Sequence, residues 1–218
     1  MSTAAKPTRR YDSSKRREQA AARRDRILDA AEELFVRDGY APTSMAAVAD
    51  RAGVALKTVY LAYETKGKLL RTLWNVRLRG DEKPIPIGER LWYKAVLAEE
   101  DPERKLSIYV ESANRLRGRM GNVLRVIRDA APVDPEIGQL WERMQSDFLE
   151  NQREIVKSLH RRKHLKPGLG VDGGTDVMWT LNHPSVYLLL VHERGWSMAR
   201  YQRWLTDALR LQLLADSN

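Results

Sequence analysis

Hydrophobic positions recur at helical spacing along most of the chain, most clearly between residues 43 and 70. Val54, Val59 and Tyr63 lie at the spacing of one buried helical face. Gly53 stands just before them, where a preceding short helix has to end. Because glycine adopts a left-handed backbone at little cost, we expect two short helices joined by a tight turn at this residue.

The opposite face of the second short helix carries a different set of side chains. Lys57, Tyr60 and Leu61 also follow the i, i+3, i+4 spacing, on the side away from Val59. Two helices joined in this way are typical of a helix-turn-helix, whose second helix enters the DNA major groove. Tyr60 fits either a groove contact or a partly buried packing residue, whereas the spacing of Tyr63 places it in the core.

Helical periodicity continues through the rest of the chain, with no convincing strand alternation and no internal repeat. We therefore predict an all-α fold, with an N-terminal three-helix DNA-binding domain followed by a larger C-terminal helical domain. Two prolines and two glycines at 80–89 mark the domain boundary. The predicted units are a disordered basic arm at 1–17, a helix-turn-helix domain with a connecting fourth helix at 18–79, and a helical domain at 80–218.

Capping residues and breakers give the approximate ends of these helices. Thr43 or Ser44 can cap the second helix, and Asp101 and Asp134 each precede a proline at a first helical position. Pro184 interrupts a long apolar run, so that segment is expected to be kinked or split. The expected helices are about 17–39, 44–52, 56–62, one starting near 66, then 90–98, 102–117, 120–130, 134–163, 174–192 and 197–214.

The positive charge of the chain is concentrated in its first third. The formal net charge is +9, and residues 1–80 hold 17 lysines and arginines against 9 aspartates and glutamates. Residues 81–218 are nearly balanced, with 21 against 20. The basic excess therefore lies on the part that carries the helix-turn-helix, which favours a polyanionic partner over a charge that serves only general solubility.

Composition also excludes several classes of protein. The chain has no cysteine, which rules out disulfides, thiol catalysis and cysteine–zinc sites. No apolar run approaches the roughly 20 residues of a membrane span. The first residues lack the apolar core of a signal peptide. We expect a cytoplasmic protein with no membrane partner and no cofactor.

The residues around the helix-turn-helix resemble the TetR family of bacterial transcriptional regulators. The resemblance covers about residues 24–71, and a second stretch at 176–205 is similar to the C-terminal region of some members. It implies a homodimer with two DNA-binding heads on a palindromic operator, a C-terminal pocket for a small-molecule effector, and a dimer interface made by the last two long helices. The matching positions are Gly39-Tyr40, Thr43-Ser44, Val48-Ala49, Ala52-Gly53-Val54, Thr58-Val59-Tyr60 and Lys66.

Carried over residue by residue, the resemblance assigns DNA contacts. Ser44 is expected to meet a phosphate at the start of the second helix, and Lys66 another at the start of the fourth. A helix N-terminus and a lysine are both favourable anion sites. The expected DNA-binding residues are Thr43, Ser44, Lys57, Thr58, Tyr60, Leu61 and Lys66.

Three residues depart from the family pattern. Ala55 stands where serine is frequent, so the recognition helix lacks a side-chain cap, at a cost of about 1 kcal/mol. Ala46 and Ala62 stand where longer side chains often contact DNA. The basic arm offers compensating contacts with phosphates or an adjacent minor groove, or it is a solvated tail.

The C-terminal domain is rich in aromatic residues, which suits a pocket for a hydrophobic or aromatic effector. Each aromatic residue also fits an ordinary core, so the pocket depends on the resemblance more than on spacing. The candidate lining residues are Trp141 and Trp179, and the candidate polar contacts are Asn114 and His183.

Other chemistries have weak support in the sequence. His160 and His164 have the spacing of two metal ligands on one helix face, but three positive charges lie between them and oppose a cation, so no metal site is expected. No catalytic constellation surrounds any histidine, so we expect no enzyme activity. We interpret the chain as a sequence-specific transcriptional regulator, a repressor that a small hydrophobic or aromatic effector releases from its operator, with a nonspecific DNA-coating protein as the alternative.

Overall fold

Helices form every regular element that the computed structural model describes, in residues 13–79 and 87–215. The prediction of an all-α fold is confirmed. A single isolated bridge, between Leu165 and Leu214, ties the loop before α8 to the chain end. The helices are α1 Ser13–Asp38, α2 Met45–Ala52, α3 Leu56–Tyr63, α4 Lys66–Arg79, α5 Leu91–Ala98, α6 Pro102–Ala130, α7 Pro135–Arg161, α8 Val171–Leu181, α9 Pro184–Tyr187 and α10 Met198–Leu213.

The predicted caps lie at the starts of their helices. Ser44 precedes α2 and accepts a hydrogen bond from the Ala47 amide, at 3.1 Å. Asp101 and Asp134 cap α6 and α7 in the same way, each followed by proline in the first turn. These side chains satisfy amide groups that have no partner inside their helix.

Three boundaries differ from expectation. α1 begins at Ser13, so residues 13–17 are helical, and the rest of the predicted arm lies outside the described residues. α6 is one continuous helix through Gly118, not two helices that break near this residue. α8 begins at Val171, and Pro184 splits the following segment into the short α9 and a π-helical turn at Leu188–Glu193.

Two hydrophobic cores form along the chain. The first core is built by α1 to α4 together with the C-terminal half of α6 and the start of α7. The second core is built by α5, the N-terminal half of α6, the end of α7 and helices α8 to α10. We call the part around the first core the head and the part around the second core the body.

Helix α6 runs through both cores. Leu106 and Val110 near its start are fully buried in the body core, and Leu124 and Ile127 near its end are buried in the head core. A helix of 29 residues spans roughly 43 Å at 1.5 Å per residue, which is long enough to cross both. Packing on both sides of Gly118 offsets the low helix propensity of glycine, so the helix continues there.

No described helix is long and apolar enough to cross a bilayer.

Two glycine-to-alanine variants test these backbone assignments in opposite directions. Gly53 has φ +64° and open space around it, so Gly53→Ala adds only backbone strain and lowers the free energy of unfolding by about 1–2 kcal/mol. Gly118 is helical and also has open space, so Gly118→Ala raises that free energy by about 0.5–1 kcal/mol. Urea unfolding of both variants checks this, and a destabilised Gly118→Ala would contradict a continuous α6.

Candidate DNA-binding surface and effector region

Helices α2 and α3 meet at a turn that the sequence requires. Gly53 ends α2 in the left-handed region, and its amide and that of Val54 donate to carbonyls of the last turn of α2. Val59 and Tyr63 of α3 are buried against the head core, with Val59 fully covered. The turn and these two anchors fix the direction of α3 and leave its other face in solvent.

The exposed face of α3 carries the side chains that the helical spacing places there. Tyr60 is 48% exposed and Leu61 is 77% exposed, and Lys57 is also exposed. Thr58 is half-buried. No side chain caps α3 at Ala55. A large aliphatic group and a half-exposed tyrosine are unusual surface residues, which is the pattern expected of a binding face.

The two residues before α2 have separate roles. Ser44 is exposed, and its hydroxyl oxygen caps the helix while its own hydrogen stays available for donation. Thr43 is only 4% exposed, and its hydroxyl donates to the Gly39 carbonyl oxygen at 2.8 Å. The expectation that Thr43 faces DNA is therefore corrected, because this side chain orders the turn between α1 and α2.

Lys66 is also placed differently from expectation. Its ammonium donates to the carbonyl oxygens of Tyr40, Ala41 and Thr43, at 2.8, 3.2 and 3.0 Å. It lies 4.3 Å from the centre of the Tyr40 ring, and burial lowers its pKa. An ammonium has three N–H groups. All three are engaged inside the head, so Lys66 holds the turn before α2 and offers no free donor to a phosphate in this structure.

The same turn is tied to the start of α7. The Tyr40 hydroxyl donates to Asp134, whose other carboxylate oxygen caps α7. Burial and this carboxylate raise the pKa of the Tyr40 hydroxyl. Lys66, Tyr40 and Asp134 thus form a chain of contacts from the start of α4 to the start of α7. We call these three residues the latch.

A second contact lies beside the latch. The Thr65 hydroxyl donates to the Glu136 carboxylate at 3.1 Å. The α-carbon of Gly67 packs so close to that carboxylate that a β-carbon would lie 2.8 Å from it. Arg125 of α6 adds a hydrogen bond to the Val36 carbonyl oxygen at 2.9 Å. The head is therefore held against both α6 and α7.

The first half of α1 extends the basic surface of the head. Its side chains from 15 to 26 are almost all exposed, with six lysines and arginines against two acidic residues. Sequence reasoning placed part of this segment in a disordered arm. A regular helix instead presents these charges along one rigid element, which favours an extended anionic partner.

Two of the predicted effector residues meet in the body. The rings of Trp179 and His183 lie 4.6 Å apart, one helical turn from each other across the end of α8. His183 caps α9 by accepting from the Ser185 amide at 3.1 Å, and its Nε2 faces the Gln145 amide. Burial and then the charge of Arg117 lower the pKa of His183, so its imidazole is held neutral at pH 7.

Asn114 belongs to a buried polar network that sequence reasoning missed. Its side-chain oxygen accepts from Arg117 at 3.2 Å. Arg117 also donates to the backbone and side-chain oxygens of Asn182, and the Asn182 amide donates to the Tyr109 hydroxyl at 2.7 Å. The signal was present in α6, because Asn114 and Arg117 continue the buried stripe of Leu106 and Val110 at helical spacing.

Trp141 lies apart from this network. It is partly buried against the head core. A cleft of about 270 Å³ lies on the head, between the end of α3, α4 and the start of α7. Its lining includes Glu64, Arg71 and Glu136, and none of the four predicted effector residues. Trp179 thus contacts His183, and Asn114 is hydrogen-bonded to Arg117, whereas Trp141 packs against the head core.

In the described parts of the chain, no group of three or more histidines and acidic residues is placed to hold a metal ion.

The sequence profile described as bacterial regulatory proteins, tetR family, matches residues 27–73. This range contains the C-terminal part of α1, all of α2 and α3, and the first half of α4. No curated protein sequence matches the chain.

Solved structures with the same fold cover nearly the whole chain. NalD, the secondary repressor of the MexAB-OprM multidrug efflux pump in Pseudomonas aeruginosa, is 22% identical with a TM-score of 0.69, over 92% of this chain and 100% of its own. The regulator FadR from Bacillus subtilis, in complex with stearoyl-CoA, is 19% identical with a TM-score of 0.66, over 85% and 96%. SmeT in complex with triclosan is 17% identical with a TM-score of 0.66, over 90% and 93%.

The two head lysines are predicted to differ in their effect on stability. Lys66→Met leaves three carbonyl oxygens without their donor, so we expect the free energy of unfolding to fall by about 1–3 kcal/mol. Lys57→Ala removes an exposed side chain and is expected to stay within about 0.5 kcal/mol of the wild type. Thermal unfolding of both variants measures this, and equal stability of Lys66→Met and Lys57→Ala would contradict the internal role of Lys66.

Proposed function

We propose that this chain, which matches the profile of the tetR family of bacterial regulatory proteins over residues 27–73, is a dimeric transcriptional repressor that a small-molecule effector releases from a palindromic operator. The observation that carries this proposal is the exposed face of α3, where Lys57, Tyr60 and Leu61 project from a helix anchored by Val59 and Tyr63. The family match covers the same residues. A rigid helix with one buried and one open face is the geometry that major-groove recognition requires.

In this proposal, base and phosphate contacts come from different parts of the head. Lys57, at the front of α3, reaches base edges, and Leu61 contacts apolar groups such as a thymine methyl. Tyr60 and Ser44 donate hydroxyl hydrogens to phosphates, which position the head. The basic first half of α1 adds charge along the DNA backbone. Lys66 acts indirectly, because it holds the turn that places Ser44 and the start of α2.

The dimer places two such heads on one operator. Two symmetric heads read half-sites in successive major grooves, about 34–36 Å apart or at a related spacing. We place the dimer interface on the outer sides of α8 and α10. Tyr187 and Leu188 are buried in the body core of their own chain, so they are not available for that interface.

The effector binds in the body, near the aromatic side chains Trp179 and His183. Solved structures of the same fold hold triclosan and stearoyl-CoA, two ligands with large apolar parts. An effector that binds best at one separation of the heads weakens the binding of DNA that requires the other separation. The coupling free energy between two such ligands is typically about 1–3 kcal/mol. Helices α6 and α7 supply the physical link, because each packs in both cores.

Selection of bound sequences from a random DNA pool tests the proposal directly. We would use the full-length protein at about 150 mM salt, where nonspecific phosphate binding is weak. An enriched inverted repeat is expected, and its half-site spacing reports the distance between the heads. Binding without enrichment would contradict specific regulation and would support the alternative, a nonspecific DNA-coating protein.

Substitutions on α3 give a residue-level prediction. Lys57→Ala and Tyr60→Ala are each expected to weaken binding to the selected operator by about 5- to 150-fold, which corresponds to about 1–3 kcal/mol. Lys94→Ala is the matched control, because Lys94 is an exposed lysine on α5 in the body. Fluorescence anisotropy with labelled operator measures the affinities. Equal losses for Lys57→Ala and Lys94→Ala would contradict the assignment of the α3 face.

A further inference from the structure

A permanent positive charge is buried at the middle of α6. Arg117 is 6% exposed and lies on the helix between its body half and its head half. Its side-chain partners are the neutral oxygens of Asn114 and Asn182. Its guanidinium carbon also lies 5.7 Å from the ring centres of both Tyr187 and Tyr201. The site is therefore polar, aromatic and buried.

No carboxylate compensates this charge within the part of the chain that the structure describes. Ion pairs form elsewhere on α6, where Arg115 pairs with Glu111 and Arg128 with Asp129, but none includes Arg117. A buried charge is costly unless it is paired as well as hydrogen-bonded. Arginine cannot relieve that cost by losing its proton, because its pKa lies far above any physiological pH.

Two buried polar atoms near Arg117 also lack a hydrogen-bond partner. The Asn114 side-chain nitrogen and the Tyr201 hydroxyl are buried and have no hydrogen-bond partner in the structure. Asn114 is bonded to Arg117 through its other side-chain atom, and the Tyr201 ring faces the guanidinium. Buried polar groups are almost always paired, so open donors beside an uncompensated cation indicate a missing acceptor.

We propose that Arg117, Asn114 and Tyr201 form a cluster that binds a carboxylate group of the effector. The inference deepens the proposed function and depends on it, since it names the chemical class of the ligand that the body binds. A carboxylate accepts two parallel hydrogen bonds from a guanidinium, and it can accept further ones from Asn114 and Tyr201. The neighbouring aromatic side chains suit the apolar remainder of an organic acid.

The position of Arg117 gives this contact a route to the head. The acid would replace Asn114 and Asn182 as hydrogen-bond acceptors of Arg117. Asn114 lies on α6 and Asn182 lies at the end of α8. Four residues further on, Gly121 packs closely against Tyr187, and the following turns enter the head core. A change at Arg117 therefore acts on the one helix whose far half supports α1 and α4.

Matched pairs of acids and amides test the proposal with the full-length protein. The probes are benzoate, 1-naphthoate and decanoate, each against its primary amide, at pH 7.5 and constant ionic strength. Binding is followed by calorimetric titration and by the shift of the thermal midpoint. We expect at least one acid to bind ten-fold or more tightly than its amide. A panel in which no acid is preferred over its amide would overturn the proposal.

Two variants assign the preference to this cluster. Arg117→Gln removes the charge but keeps an amide donor, and it is expected to abolish the preference for the acid. Asn114→Asp keeps Arg117 and supplies a carboxylate beside it, so we expect a higher thermal midpoint and again no acid preference. The Asn114→Asp variant also tests the site if Arg117→Gln does not fold. An undiminished preference in Asn114→Asp would overturn the site.

The DNA selection separates this proposal from the proposed function. An enriched operator together with no acid preference rejects the carboxylate site alone. If the protein binds acids through Arg117 but selects no operator, the carboxylate site stands and the proposed function as a transcriptional regulator is rejected.

Discussion

The fold depends on the long helix α6, which both cores share as they share α7. Leu106 and Val110 of α6 are buried in the body, and Leu124 and Ile127 of the same helix are buried in the head. Neither core is complete without its half of α6, and a helix with intact hydrogen bonds resists local bending. In the proposed function, a displacement in the body reaches the head as a movement of this rigid element.

The latch residues Lys66, Tyr40 and Asp134 connect the start of α7 to the turn that places α2 and α3. Asp134 caps α7 and holds Tyr40, and Lys66 holds the carbonyl groups of the turn that leads into α2. Each of these contacts joins helices that are far apart in sequence, so a shift of α6 or α7 reaches the DNA-facing surface without passing through a flexible linker. In the proposed function the exposed face of α3 recognises DNA, while the buried contacts set the direction of that face.

The helix-turn-helix was predictable because its determinants are local. Gly53 requires a particular backbone, and Val59 and Tyr63 mark a buried face by spacing alone. The roles of Thr43 and Lys66 were not, because their partners are carbonyl oxygens that only the folded turn brings near. The expected break between 117 and 120 is wrong, because the residues on both sides of the exposed Gly118 pack in the two cores and keep α6 continuous. The polar network of the body was missed because Asn182 and Tyr109, which join Asn114 and Arg117 in it, come together only in the folded chain.

Hydrogen exchange of α6, followed by mass spectrometry, tests the central claim most directly. Peptides that cover 106–112, 114–121 and 123–130 report the body half, the middle and the head half of the helix. If α6 is one rigid element shared by both cores, the amides of the middle peptide exchange as slowly as those of its neighbours. Fast exchange confined to 114–121 would show two helices that open independently, and it would contradict the coupling of head and body through α6.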